Sequence, residues 1–241
     1  MRLWLTKYTP LMFIFMLCNV HSVAADDMAD CISGDIDRVL ASCTRLIERG
    51  NLDKNDRAVA HNNRGMALSK FGLFDDAIED FNAAIVYIPD NAGIHTNRGN
   101  ALVQKGRLDE ADTDFTRAIQ LNPLHAEAFS GRALARFLLN RSPQALSDIN
   151  QAIQLKPGCA LNYNNRGVIH NEMGHREKAI ADYQKALKLD PSLKIAIENL
   201  ADLTSGVSVS HKFGDRSRKG QIAPGLKIIP QSNCSFLGIK R

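Results

Sequence analysis

Small and apolar residues recur along this chain with a period of 34, and between residues 58 and 193 the recurrence runs four times without a gap. Sliding the chain by one period stacks Ala77, Ala111, Ala145 and Ala179. It also stacks Phe81, Phe115, Ile149 and Tyr183, then Ala84, Ala118, Ala152 and Ala186. An alanine, a large residue four positions on and an alanine three beyond that occupy one face of a helix. Each unit has a second, polar signature earlier in its span: Asn63-Arg64-Gly65, Asn97-Arg98-Gly99, Gly131-Arg132-Ala133 and Asn165-Arg166-Gly167. Gly72, Gly106, Asn140 and Gly174 lie between the two signatures, and Pro89, Pro123, Pro157 and Pro191 close the units. Gly and Asn tolerate the left-handed conformation that ends a helix, and proline cannot extend one. The pattern predicts two helices per unit, over 58–91, 92–125, 126–159 and 160–193. In the third unit Ser142 is expected to cap the second helix, with Pro143 at its first position.

The flanks follow other rules. Leu193, Ala196, Ile197, Leu200 and Leu203 form a helical stripe opposite Lys194, Glu198, Asn199 and Asp202, which predicts a capping helix over 194–203. Upstream, Val39 repeats the alanine phase in degraded form but lies too far before Ala77 to be a single period away. Residues 26–57 therefore read as an irregular helical cap, with an extended turn at Asn51 to Asp56. From Thr204 the periodicity stops, and residues 204–241 read as a flexible tail rich in Gly, Pro and Ser. At the other end, Arg2 and Lys7 precede the apolar run Leu11 to Val20, and Val23-Ala24-Ala25 offers a cleavage site. Residues 1–25 read as a secretory leader, so the mature protein is expected to be exported, to the periplasm or outside the cell.

With these motifs in view, the sequence resembles the tetratricopeptide repeat family, whose helix-turn-helix unit has the same period. The resemblance covers positions 58–193. It departs from the family pattern at His61 and His95, which replace an aromatic, at the arginine that replaces leucine in every unit, and at Arg136 and His170, which replace tyrosine. The resemblance implies an all-α, right-handed α-solenoid of helix-turn-helix repeats whose first helices line a concave groove for a protein or peptide partner. Asparagine ladders bind peptide backbones in some members, which puts Asn63, Asn97 and Asn165 forward as groove residues. Neighbours that would set specificity are Asn62, Thr96, Asn100, Ser130 and Asn164. Gly131 interrupts the ladder. The other reading of these amides is structural, as hydrogen bonds between helices. Asn62 and Met66 replace the lysine and asparagine of the family's clamp for carboxylate termini, which argues against that subclass.

Arg64, Arg98, Arg132 and Arg166 share one phase, and Asp80, Asp114, Asp148 and Asp182 share another. Opposite charges with one period read as pairs tying helices together; a row of arginines for anionic ligands is the alternative. His61 and His95 stand at a packing position, and the remaining histidines show no ligand spacing, so no metal is expected. No P-loop, HExxH, GxSxG or dinucleotide fingerprint occurs, and the expected protein is not an enzyme and carries no cofactor. An accessory hydrolase with an unrecognised site is the weakest rival.

Charge and cysteines sharpen this picture. The net charge of +4 conceals an acidic body and a basic tail, in which Lys212, Arg216, Arg218, Lys219, Lys227, Lys240 and Arg241 outweigh Asp215. A basic tail on an acidic body does not suit nucleic acid, but it offers a contact with an anionic envelope surface. Removing the leader leaves Cys31, Cys43, Cys159 and Cys234. Cys31 and Cys43, close together at the start of the folded region, are the expected disulfide in an oxidising compartment. Cys159 and Cys234 could also pair, although no spacing supports it.

Overall fold

In a computed structural model, residues 26–33 and 35–205 are described; the leader, the tail from residue 206 and Cys234 lie outside them. The described residues are helical and contain no strand. The chain divides into two compact units, Met1–Pro89 and Asp90–Arg241.

In the N-terminal unit a short helical segment over 26–31 precedes α1 (Ile36–Arg49), α2 (Lys54–Lys70) and α3 (Phe74–Tyr87). The Asp35 carboxylate accepts from the first-turn amides of α1, and Gly50 ends that helix at φ 70°. α1 packs on α2, which pairs with α3. The missing phase of the N-terminal cap has a simple explanation. α2 has 17 residues where its counterparts in later repeats have 13, so the four extra residues form one more helical turn, capped by Asp53. The expected extended turn at Asn51 to Asp56 is accordingly corrected: Lys54 to Asp56 are helical because Asp53 accepts from the Asp56 amide. Val39, Cys43 and Leu46 of α1 are buried with Cys31 and with Ala60 and Ala67 of α2. Cys31 and Cys43 are joined by a disulfide, with Cα atoms 4.9 Å apart. The buried Asp27 carboxylate receives the Arg45 guanidinium, which holds it below the usual carboxylate range.

The C-terminal unit stacks α4 (Ala92–Gln104), α5 (Leu108–Leu121), α6 (Ala126–Leu138), α7 (Ser142–Leu155), α8 (Ala160–Glu172), α9 (Arg176–Leu189) and α10 (Lys194–Thr204). Each helix packs on the next, and α4 also touches α6, α6 touches α8, and α8 touches α10. Residues that turn each hairpin adopt the left-handed conformation, including the non-glycine Asn140 at φ 60°. α7 starts one residue earlier than expected: Arg141 is the N-cap and Ser142 the first helical residue, with no side-chain cap.

Two devices repeat in every hairpin. The first is a close approach: a Cβ built on Gly65 would meet the Phe81 ring at 2.8 Å, and one on Gly99 the Phe115 ring at 2.9 Å. On Gly167 it would meet Tyr183 at 2.6 Å. The third hairpin accepts Ala133 because the facing residue there is the smaller Ile149. The second device is a two-pronged ion pair, in which Arg64 Nε and Nη2 reach Asp80, and Arg98, Arg132 and Arg166 reach Asp114, Asp148 and Asp182 in the same way. All four aspartates are buried. Such fork-to-carboxylate pairs fix helix register as well as charge.

Candidate functional site

The asparagine phase lies on the first helix of each repeat, two residues before the small residue that faces the ring. Asn63 on α2 is half-buried, and its side-chain Nδ2 donates to the backbone carbonyl of Cys31 at 3.2 Å. Its Oδ1 accepts from Asn62 at 3.1 Å. The amide thus holds a backbone carbonyl of the disulfide-stapled N-terminal segment. Val59 and Met66 are exposed on the same helix.

In the C-terminal unit Asn97 and Asn100 on α4, and Asn165 on α8, are half-buried. Asn165 Oδ1 accepts from Asn164 at 3.3 Å. Asn165 also lines a cavity of about 10 Å³, walled by Ser130, Phe137, Ile149 and Val168 among others. That volume is about one water. The ladder is broken at Gly131 for a steric reason. A Cβ there would lie 2.4 Å from the Phe115 ring, which is held between Gly99 on α4 and Gly131 on α6. No side chain fits between α5 and α6 at this point.

Several expected groove neighbours are buried and have internal partners. Thr96 is buried, and its hydroxyl donates to the Ala92 carbonyl of its own helix. Ser130 donates to Asn162 at 2.9 Å, tying α6 to α8. Asn164, 1% exposed, accepts from Asn199 of α10 at 3.0 Å. Asn162 and Asn199 had no place among the sequence-derived site residues. Their polar identity on otherwise packed faces was the available signal, since a buried amide needs a partner.

The arginine row is engaged internally rather than presented. Burial pushes the Asp80 carboxyl up, but hydrogen bonds from Arg64 and His61 outweigh it and hold the group below its ordinary value. Asp114 behaves alike, with Arg98 and His95 as its donors. His61 Nδ1 lies 2.8 Å from Asp80, and His95 Nδ1 lies 3.2 Å from Asp114. In the third hairpin Arg136 takes this supporting place, reaching both Asp148 and Asp112. In the fourth it is His170, whose own charge burial disfavours. The residues that depart from the family pattern therefore serve the buried aspartates. Among the described residues no cluster of His, Cys, Asp and Glu could hold a metal ion.

Tetratricopeptide repeat models match residues 96–160 and 160–193, and a TPR repeat model matches residues 67–106. Together they take in more than half of the chain, and the match at 160–193 coincides with the fourth repeat. The protein belongs to the tetratricopeptide repeat family. Among solved structures, a thermophilic tetratricopeptide protein of Thermus thermophilus, TTC0263, is similar at TM-score 0.63 and 20% identity, over 76% of this chain and 99% of that one. A MamA structure is similar at TM-score 0.57 and 24% identity, over 66% and 90% of the two chains. YrrB, described as a tetratricopeptide protein with an unusual peptide-binding site, is similar at TM-score 0.55 and 24% identity, over 68% and 82%. At these identities the likeness is one of fold: an all-α array of helix-turn-helix repeats. No curated relative matches the sequence.

Proposed function

We propose that this protein is an exported scaffold that holds an extended peptide segment of a partner on the first helices of its repeats, without chemistry of its own. The family supports the coarser statement that it is a protein-interaction scaffold. The observation that carries the finer reading is the 3.2 Å hydrogen bond from Asn63 to the Cys31 carbonyl. An amide at this phase takes a peptide carbonyl in this very molecule, and a side-chain amide that both donates and accepts binds a backbone without selecting its side chains. Asn63 serves the N-terminal segment; Asn97 and Asn165, with Asn100 beside them, are the members of the row proposed to contact a partner. The leader pattern and the Cys31–Cys43 disulfide support export.

The test is affinity capture from the exported fraction with mature chain 26–241, followed by a binding titration of the captured partner against an Asn97→Ala/Asn165→Ala variant of unchanged helicity. Two amide contacts at about 1 kcal/mol each predict roughly a thirtyfold loss of affinity. Equal affinity would sink the reading. A second reading rests on the charge split: the basic tail would tether the acidic body to an anionic envelope polymer. Binding to such a polymer should then weaken steeply with salt and vanish when the tail is deleted.

A further inference from the structure

Two neighbouring asparagines stand at the same phase in the first and fourth repeats, Asn62-Asn63 on α2 and Asn164-Asn165 on α8. In each pair the leading residue donates its Nδ2 to the Oδ1 of the next, at 3.1 Å and 3.3 Å. That bond holds the second amide by its oxygen and leaves its nitrogen to donate elsewhere. On α2 the nitrogen donates to the Cys31 carbonyl, which is available because the short helix over 26–31 ends there. On α8 the residue the same 32 positions earlier is Ala133, inside α6, where the helix uses its carbonyl. Among the described residues Asn165 Nδ2 has no acceptor. The α8 pair is also the more firmly set: Asn164, 1% exposed, accepts from Asn199 of α10 at 3.0 Å, so three amides run in one direction and end on the Asn165 nitrogen.

Beside that nitrogen's residue lies the cavity of about 10 Å³, with room for one water or one methyl group. A water would find few partners in it, since Leu134, Phe137, Ile149 and Val168 are apolar and the Ser130 hydroxyl already donates to Asn162. Leu134 and Asn165 are half-buried and the rest of the wall is buried, so the way in lies between those two. We infer that Asn165 Nδ2 takes the carbonyl of an alanine in an extended partner segment, and that the methyl group of the same alanine enters the cavity. The inference rests on the groove reading above and adds a side-chain choice that the amides alone do not make: glycine brings nothing to the cavity, and valine or anything larger brings more than it holds.

The full chain, isotopically labelled for NMR, is titrated with the capped pentapeptides acetyl-Gly-Gly-X-Gly-Gly-amide, where X is glycine, alanine or valine. The side-chain amides of Asn97, Asn100 and Asn165 and the methyl groups of Ile149 and Val168 report binding. Burial of one methyl group predicts that the alanine peptide binds about fourfold tighter than the glycine peptide, with valine weaker than alanine. Ile149 and Val168 should shift with alanine and not with glycine. Val168→Ile, which puts a methyl group of this chain into the cavity, should remove the preference for alanine and keep the glycine affinity, and Asn165→Ala should lose all three peptides; both variants are checked for parent-like helicity. Equal affinity for glycine and alanine in the parent chain, or a response at Asn97 and Asn100 with none at Asn165, overturns the inference alone. Silence at all three asparagines removes the groove reading with it.

Discussion

The second and third hairpins of the repeat array share a backbone plan but solve their packing in opposite ways. In the second, the fully buried Phe115 fills the space between α4, α5 and α6, and both residues that face its ring are glycines, Gly99 and Gly131. In the third, Ile149 is smaller, Ala133 replaces the glycine, and a cavity of about 10 Å³ remains beside Asn165. A ring alone does not decide whether the next helix keeps its asparagine, since Phe81 and Tyr183 are followed at the same spacing by Asn97 and Asn199; at position 131 it is the 2.4 Å approach of the Phe115 ring that leaves no room. At that one position the packed core limits what the helix face can carry, because close-packed interiors leave no slack for both. The buried aspartates differ in parallel. Asp114 is served by Arg98 and His95, while Asp148 takes two arginines, Arg132 and Arg136.

Truncating the two core residues should break the comparison most visibly. Phe115→Ala is expected to cost about 3–5 kcal/mol, since neither flanking glycine has a side chain to fall into the hole. Ile149→Ala should cost nearer 2–3 kcal/mol at a site already loosely filled. Urea denaturation of both variants reads the order, and equal losses would refute the packing argument.

Restoring the ladder is the sharper experiment. Gly131→Asn places a Cβ 2.4 Å from the Phe115 ring and should destabilise by about 1–3 kcal/mol. Adding Phe115→Ile, which copies the third hairpin, should make the asparagine less costly than it is beside Phe115. A double-mutant cycle in denaturant measures that coupling; simple additivity would show that ring volume is not what excludes a side chain at 131.

A smaller effect separates the hairpins in acid. Glu127, at the start of α6, is held at about 2 against an ordinary 4.5, chiefly by its hydrogen bond to His125 and also by Lys156. Its folded value is the lower one, so the unfolded chain binds the proton more readily. The stabilisation is complete above about pH 5 and drains away as pH falls through 4.5 towards 2. Glu127→Gln should therefore lose stability at pH 6 and flatten the acid slope, read as thermal midpoints from pH 6 to 3. A slope unchanged from the parent would show that the pair adds nothing.

Much of this molecule was legible in its residues. The repeat phase located every hairpin, the left-handed turn at Asn140 as well as those at the glycines, and the pairing of the arginine and aspartate rows between helices. The reason is that these features are local or strictly periodic: a turn needs a residue that tolerates positive φ, and two rows of opposite charge at one period meet once the hairpin closes. The excess length before the first repeat was visible too, but not its fate as a helical turn, because capping by Asp53 competes with an open loop of equal length.

The candidate site was less legible. The repeated amides could be counted, yet their separate states depend on what packs beneath and beside them: Asn63 on a carbonyl 32 residues earlier, Asn164 on a side chain 35 residues later, and position 131 emptied by a ring on another helix. Repetition along the chain determined the fold by itself, since every unit repeats the same local preferences. Only the tertiary structure decided which members of a repeated set are spent internally, because side-chain volume and hydrogen-bond capacity are settled between neighbours distant in sequence.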